Sequence, residues 1–296
     1  MKQTRTSRHA SILERLAARM GDDAGPPRIL GVFAHPDDEV LALGGRLGRF
    51  SESRFLCVTN GAPENGMDAR AHGFPTLAAY RESRRMELDR AFKLAGLPSG
   101  CARPLLLQEA DGSKTIAADQ AAAFHLVQIA REIAREISEF RPEAVLTHPY
   151  EGGHPDHDSC AFGVQAAVRL VGESYAIPIL EAPFYYAGAN GMVAGCFLPE
   201  TAGTNSSGIL CTLSPKEQKR KRELLDCFVS QRETLAQFGT ERERFRIAPE
   251  YDFTRAPHTG RLFYENYDWG LTGARFRELA TLGARELNLQ TRGAHA

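Results

Sequence analysis

The chain has 296 residues, 43% hydrophobic and 25% charged, and 36 Lys and Arg against 37 Asp and Glu leave a net charge of -1. That length can bury a large core, and the near-neutral balance argues against broad nucleic-acid binding, which wants a basic excess. No apolar run approaches the ~20 residues of a membrane span, so no transmembrane segment is expected.

In chain order, Ser7–Met20 reads as an amphipathic helix. No apolar h-region follows the basic start, so no signal peptide is expected. Residues 22–28, DDAGPPR, read as a linker. Strands and helices then alternate. RILGVFA is strand one, and Glu39–Phe50 is a helix that tolerates Gly44 and Gly45. RFLCVTNG is strand two, and Glu64–Thr76 is a polar, glycine-bearing loop. Ala78–Ala95 is a charged helix ended by GLPSG, and PLLLQ is strand three. The spacing of Phe124, Val127, Ile129, Ile133 and Ile137 predicts a long helix over Thr115–Phe140. AVLTH is strand four, Ser159–Val171 a helix, and IPILEAPFYYA and GILCTLS later strands. Pro215–Phe238 is a helix, with Ser214 and Glu217 placed for a reciprocal cap. After Thr240 the pattern gives way to aromatic and charged residues, too aromatic for a free tail.

Alternating strands and helices predict an α/β fold: a Rossmann-like, mainly parallel sheet with helices on both faces, a single domain with an irregular C-terminal segment. Residues 1–27 read as a helical extension, 28–238 as the core, and 239–296 as a segment packed on it. Six cysteines without a C-x-x-C pair read as reduced thiols of a cytoplasmic protein. Cys160, three residues after His157, also has a spacing at which it could share a metal.

Two polar motifs stand at strand ends, where such folds bind ligands. Strand one runs into His35-Pro-Asp37-Asp38-Glu39. Strand four runs into PYEGGHPDHD, with His154, Asp156 and His157. Three adjacent carboxylates repel one another and are costly to desolvate unless a cation sits among them. A catalytic zinc takes three His or carboxylate ligands and leaves one position for water. His35 and Asp38 offer two ligands, His157 or His154 a third, and Asp37 is left free to take a proton. His148 also ends strand four, where packing and ligation are equally compatible with its position.

These residues resemble the PIG-L/LmbE-like family of zinc-dependent N-deacetylases, which carry A-H-P-D-D-E after the first strand and H-P-D-H after a later one. Arg84-x-x-Glu87-x-x-x-Ala91, Asp111-Gly112 and Ser230-Gln231 match further family motifs, in order, between residues 28 and 238. The resemblance implies zinc held by His35, Asp38 and His157, with ferrous iron suiting the same ligands. It makes Asp37 the general base and His154 the group that stabilises the oxyanion and protonates the leaving amine. Arg84 and Asp111 would hold the sugar. Asp156 would orient a histidine or cap a turn. One departure stands out: some members have a tyrosine two residues before the first histidine of H-P-D-H, and here that place is Gly152.

The reaction implied is removal of an acetyl group from an N-acetylated amino sugar or glycoconjugate by water. Alternatives are another amide, such as a thiol conjugate, a phosphoester, or a catalytically silent member that binds sugar or metal. The expected partner is a small N-acetylated sugar or glycoconjugate, and a homo-oligomer is compatible with the sequence. Pro257–Gly260 lies in the C-terminal segment, as cover over the pocket or as a surface loop, and Trp269, with Tyr264 and Tyr267, offers rings to stack on a sugar or to pack in the core. Glu39 has no assigned role.

Overall fold

The computed structural model describes residues 5–19, 25–172, 175, 177–199 and 208–289. Part of the linker expected at 22–28 and the end of the first helix at Met20 lie outside the described residues.

Helix α1 (Arg5–Ala17) precedes the buried strand β1 (Ile29–Phe33). Helix α2 (Asp38–Leu43) follows at once, then strand β2 (Arg54–Cys57), the short helix α3 (Met67–Ala71) and helix α4 (Leu77–Ala95). Strand β3 (Ala102–Pro104), helix α5 (Leu126–Phe140), strand β4 (Ala144–Thr147) and helix α6 (Pro155–Val171) come next. The chain continues with β5 (Ile179–Glu181), β6 (Ile209–Thr212), α7 (Pro215–Leu225), α8 (Arg232–Leu235), β7 (Arg242–Ile247) and α9 (Gly273–Glu286).

One seven-stranded sheet runs in the order β6-β7-β5-β4-β1-β2-β3. The five strands β3-β2-β1-β4-β5 are parallel, and β7 joins antiparallel between β5 and β6. A sheet covered on both faces explains why β1 is apolar along its whole length. One apolar core contains Phe33, Val40, Leu43 and Phe92, and the other contains Val32, Ile129, Ile133 and Val164. The chain winds outward from β1 in one direction and from β4 in the other. The crevice between them is the topological switch point, where open α/β sheets place ligands. In register, Val32 lies beside Thr147, so the two strands end together and bring their polar motifs face to face.

Several expected elements differ in extent. The helix after strand one stops at Leu43 and resumes only as a single 3-10 turn at Leu47–Arg49, because Gly44 and Gly45 lack a side chain to hold it. The third sheet strand is Ala102–Pro104, while Leu107–Gln108 pairs with Lys114–Thr115 in a small hairpin. The long helix begins at Leu126. Before it, Ala117–Asp119 pairs in parallel with Thr59–Pro63. The helix expected over 215–238 breaks after Leu225, though its capping box forms as read, with Ser214 and Glu217 exchanging bonds. The segment after Thr240 is more regular than its composition suggests. It supplies a sheet strand, β7, and a closing helix, α9, whose Phe276 and Ala280 pack with Phe162 and Tyr150.

Within the sheet, β7 carries charge into the interior. Glu243 accepts from Arg46 Nε at 2.7 Å and from Lys221 Nζ at 3.2 Å, and Arg246 Nε donates to Glu181 at 2.8 Å. Buried ions persist when paired in this way. No helix among the described residues is long and apolar enough to cross a membrane.

Candidate active site

β1 ends at Phe33, and the backbone then turns so that Asp38 Oδ2 accepts the His35 N–H at 2.8 Å. On the neighbouring strand end, His148 Nε2 accepts the Ala34 N–H at 3.0 Å. Asp158 gathers the loop of the second motif by accepting from the N–H groups of Glu151 and Gly152. Glu151 in turn accepts from the backbone of Phe184 and Tyr185, which locks the next segment beside the site. Helix α6 is capped by a histidine: His154 Nδ1 accepts the Asp156 N–H at 3.2 Å. That bond fixes the neutral tautomer of His154, leaving its proton on Nε2.

Three donors converge at the crevice. His35 Nδ1, Asp38 Oδ2 and His157 Nε2 are separated by 3.3, 3.4 and 3.6 Å. Ligands about 2.1 Å from a tetrahedral ion lie roughly 3.4 Å apart, so this triangle suits a divalent cation. All three side chains are buried. Burial depresses His157 well below its usual range, which keeps the imidazole neutral as a ligand must be. On Asp38, burial pushes the carboxyl up, and hydrogen bonds from the histidines around it, His148 and His35, help to hold it well below its usual range. Cys160 is a buried thiol whose pKa burial raises well above the ordinary value, and it is not one of the clustered donors. His148 stacks on His157 with centroids 4.0 Å apart and supports that ring from behind.

Asp37 stands free of the triangle. Burial raises its carboxyl to about 6 against the pull of Arg84, whose Nη2 donates to Oδ2 at 3.2 Å. Arg84 is itself buried and has two further N–H groups, on Nε and Nη1, without a partner. Glu39 turns away beneath the site, where the Cys57 thiol donates to it, and burial raises it to about 8. Its contact is with that thiol rather than with the donors at the crevice.

Asp111 is not part of this cluster. It lies in the exposed turn between Leu107–Gln108 and Lys114–Thr115, where it accepts from Ser113. An Asp-Gly pair makes a turn by itself, and here it makes only that. The acid at the site is Asp119, with Oδ1 lying 3.2 Å from His35 Nε2 and 3.5 Å from His154 Nε2. Asp156 delivers it. Its carboxylate accepts from Gln120 N at 2.6 Å and Ala122 N at 3.0 Å, holding Gln120 in the left-handed region at φ 69°. Its Oδ2 is also 3.4 Å from His35 Nε2, so the same carboxylate serves histidine and turn.

The C-terminal segment reaches the same histidines. Trp269 packs on His154 at 4.7 Å between centroids, and Phe263 packs on Tyr185, which packs on His157. Gly152, with φ 72°, has no room for a larger residue: a Cβ there would lie 2.8 Å from Leu262 and 3.1 Å from Pro257. The C-terminal segment occupies the space in which a tyrosine side chain would begin.

The family described as PIG-L: GlcNAc-PI de-N-acetylase matches residues 30–168. A 1D-myo-inositol 2-acetamido-2-deoxy-alpha-D-glucopyranoside deacetylase of Tsukamurella paurometabola is 32% identical over 180 residues, 51% of this chain and 60% of that protein. A probable N-acetyl-alpha-D-glucosaminyl L-malate deacetylase 2 of Bacillus anthracis is 29% identical over 168 residues, 54% of this chain and 64% of that one. The chain spans 60%, 56% and 50% of three of the curated relatives it matches. In fold, it resembles a triple mutant of a deacetylase of teicoplanin biosynthesis (TM-score 0.55, 18% identity, 76% of this chain and 99% of the other). It likewise resembles the zinc-inhibited form of teicoplanin deacetylase (TM-score 0.52, 18% identity, 76% and 99%). The span that matches this family, residues 30–168, contains both strand-end motifs and the helix that carries Arg84.

Proposed function

We propose that the protein is a metal-dependent N-deacetylase that releases acetate from an N-acetylated amino sugar or its glycoconjugate. The carrying observation is the triangle of His35, Asp38 and His157 beside a free, buried Asp37. The three would hold zinc, or ferrous iron, which the same ligands suit. A bound ion of this kind lowers the pKa of water and polarises a carbonyl.

The side chains around it divide the remaining work. Asp37, with its carboxyl near 6, is ionised at neutral pH and basic enough to accept a proton from the attacking water. Arg84 holds that carboxylate in place through Nη2. His154 presents Nε2–H, because its Nδ1 is taken by the cap of α6, and this proton can donate to the oxyanion as charge develops. The leaving nitrogen takes its proton from Asp37 or from His154. Asp119 and the free N–H groups of Arg84 offer hydrogen bonds to sugar hydroxyls. All six cysteines are unpaired and five are buried, which favours a reducing compartment and hence the cytoplasm.

The test is acetate and amine release from a panel of 2-acetamido-2-deoxy-glucopyranosides, with and without chelator. Release that chelator abolishes and metal restores is the expected result. A metal-loaded protein that binds these sugars and releases nothing would identify a silent binding member instead.

A further inference from the structure

Six aromatic side chains close a ring at the site. His157 packs on Tyr185 with centroids 5.5 Å apart, Tyr185 on Phe263 at 5.3 Å, and Phe263 on Tyr267 at 5.7 Å. Tyr267 packs on Trp269 at 4.6 Å, Trp269 on His154 at 4.7 Å, and His154 returns to His157 at 5.3 Å. The two histidines come from the second motif, Tyr185 from the segment that Glu151 locks, and the other three from the chain after β7. The matched family region ends at residue 168, before Tyr185 and the three C-terminal rings.

The two histidines of the ring are buried, Tyr185, Phe263 and Trp269 are half-buried, and Tyr267 is exposed. Tyr267 is 48% exposed, although it stacks nearly parallel on Trp269, with 11° between the planes. A flat, partly wet aromatic pair beside a catalytic histidine is unusual for plain core packing, which would cover it. The other surroundings of His154 are polar. Its Nε2 lies 3.5 Å from Asp119, and Arg84 keeps two buried N–H groups without a partner. An aromatic face and a hydrogen-bonding face meeting at one histidine match the two chemistries of a pyranose: an apolar C–H face and an edge of hydroxyls.

We propose that Tyr267, backed by Trp269, forms a saccharide platform, a binding subsite on which the pyranose ring of the substrate stacks by its C–H face. Arg84 and Asp119 take the hydroxyl edge. The proposal rests on the deacetylase reading and deepens it: the C-terminal segment selects pyranosides over small acetamides.

Trp269 is the only tryptophan of the chain, so its fluorescence reports on the platform directly. The metal-loaded full-length protein is titrated with N-acetylglucosamine and, separately, with acetamide, which fills only the acetyl position. The sugar should change the emission saturably, and acetamide at the same concentrations should not. Tyr267→Ala should weaken the change and raise KM for the sugar about tenfold, a typical loss for one aromatic stack, with kcat nearly kept. Trp269→Phe, which keeps a stacking ring, should stay within a few-fold of the parent KM. Sugar binding seen by calorimetry with unchanged emission, or a Tyr267→Ala KM within twofold of the parent, would overturn the platform while leaving deacetylation intact. Saturable quenching without acetate release would uphold the platform and overturn the deacetylase reading. Failure of any N-acetylated pyranoside to bind would overturn the platform.

Discussion

Two regions converge on His154 and His157 by different means. The turns after β1 and β4 bring charge: Asp37, Asp38, His35 and Asp156 sit within short stretches whose backbone hydrogen bonds aim each side chain. The segment from Pro249 onward brings rings and apolar groups, Leu262, Phe263, Tyr267 and Trp269, placed by packing over long sequence distance. A charged centre tolerates little displacement, since the reacting groups must stay within hydrogen-bond reach. An aromatic wall tolerates more, because stacking falls off gently with position. Changes in the first region should therefore destroy chemistry, and changes in the second should scale binding and stability.

The largest effect expected is from Asp37→Ala. It should lower deacetylation by about 10³-fold or more while elemental analysis still finds a full complement of metal. Turnover at the parent rate would remove Asp37 from its role as base. His157→Ala should fail on the other count: its metal content should fall well below one ion per chain after dialysis. Full metal retention would mean that the triangle is not the binding set.

Between the two regions lies Gly153. A Cβ at this position would sit 1.9 Å from the backbone oxygen of Tyr185, so Gly153→Ala must push the locked segment away from His154. Thermal unfolding should show a loss of about 1–3 kcal/mol, in the range of forced backbone shifts. A variant as stable as the parent would show that the segment beside the site yields easily and is no more rigid than the aromatic wall.

A fourth measurement concerns β7, where charge lies in the sheet. Burial raises Glu181 to about 7 in spite of Arg246 beside it. The folded protein therefore holds that proton more tightly than the unfolded chain, whose carboxyl titrates near 4.5. The stability this contributes is complete below about pH 4.5 and declines as pH rises to about 7, by at most about 3 kcal/mol. Glu181→Gln should flatten the fall in stability between pH 5 and pH 8 relative to the parent, as read by denaturant titration. An unchanged slope would assign that pH dependence elsewhere. The smallest effect is kept for the scaffold. Ser214→Ala removes the capping box of α7 and should cost about 1 kcal/mol with no change in kcat or KM. A change in KM would show that α7 couples to the site.

The sequence by itself determined the alternation of strands and helices, the two strand-end motifs and the capping box. These are local signals: an apolar run, a polar turn and a helix start lie within a few residues of one another. His35, Asp37, Asp38, His154, Asp156 and His157 were legible for that reason, and Arg84 through its helix motif. Tertiary structure alone decided the rest. Asp119 lies in the span 115–140 read as helix from the spacing of Phe124 to Ile137, yet Ala117–Asp119 is held as a strand by Thr59–Pro63 and turned by Asp156. An Asp-Gly pair at 111–112 offered the more obvious candidate, and it remains a surface turn. The run RERFRI of β7 reads in sequence as part of an irregular segment, and it becomes a sheet strand with counter-charges supplied by Arg46, Lys221 and Glu181 from distant elements. Trp269 and Tyr267 stand out in the sequence as rings that suit sugar stacking or core packing alike, and nothing nearby decides between the two. Their place beside His154 comes from packing between residues over a hundred positions apart, which no short stretch of sequence encodes.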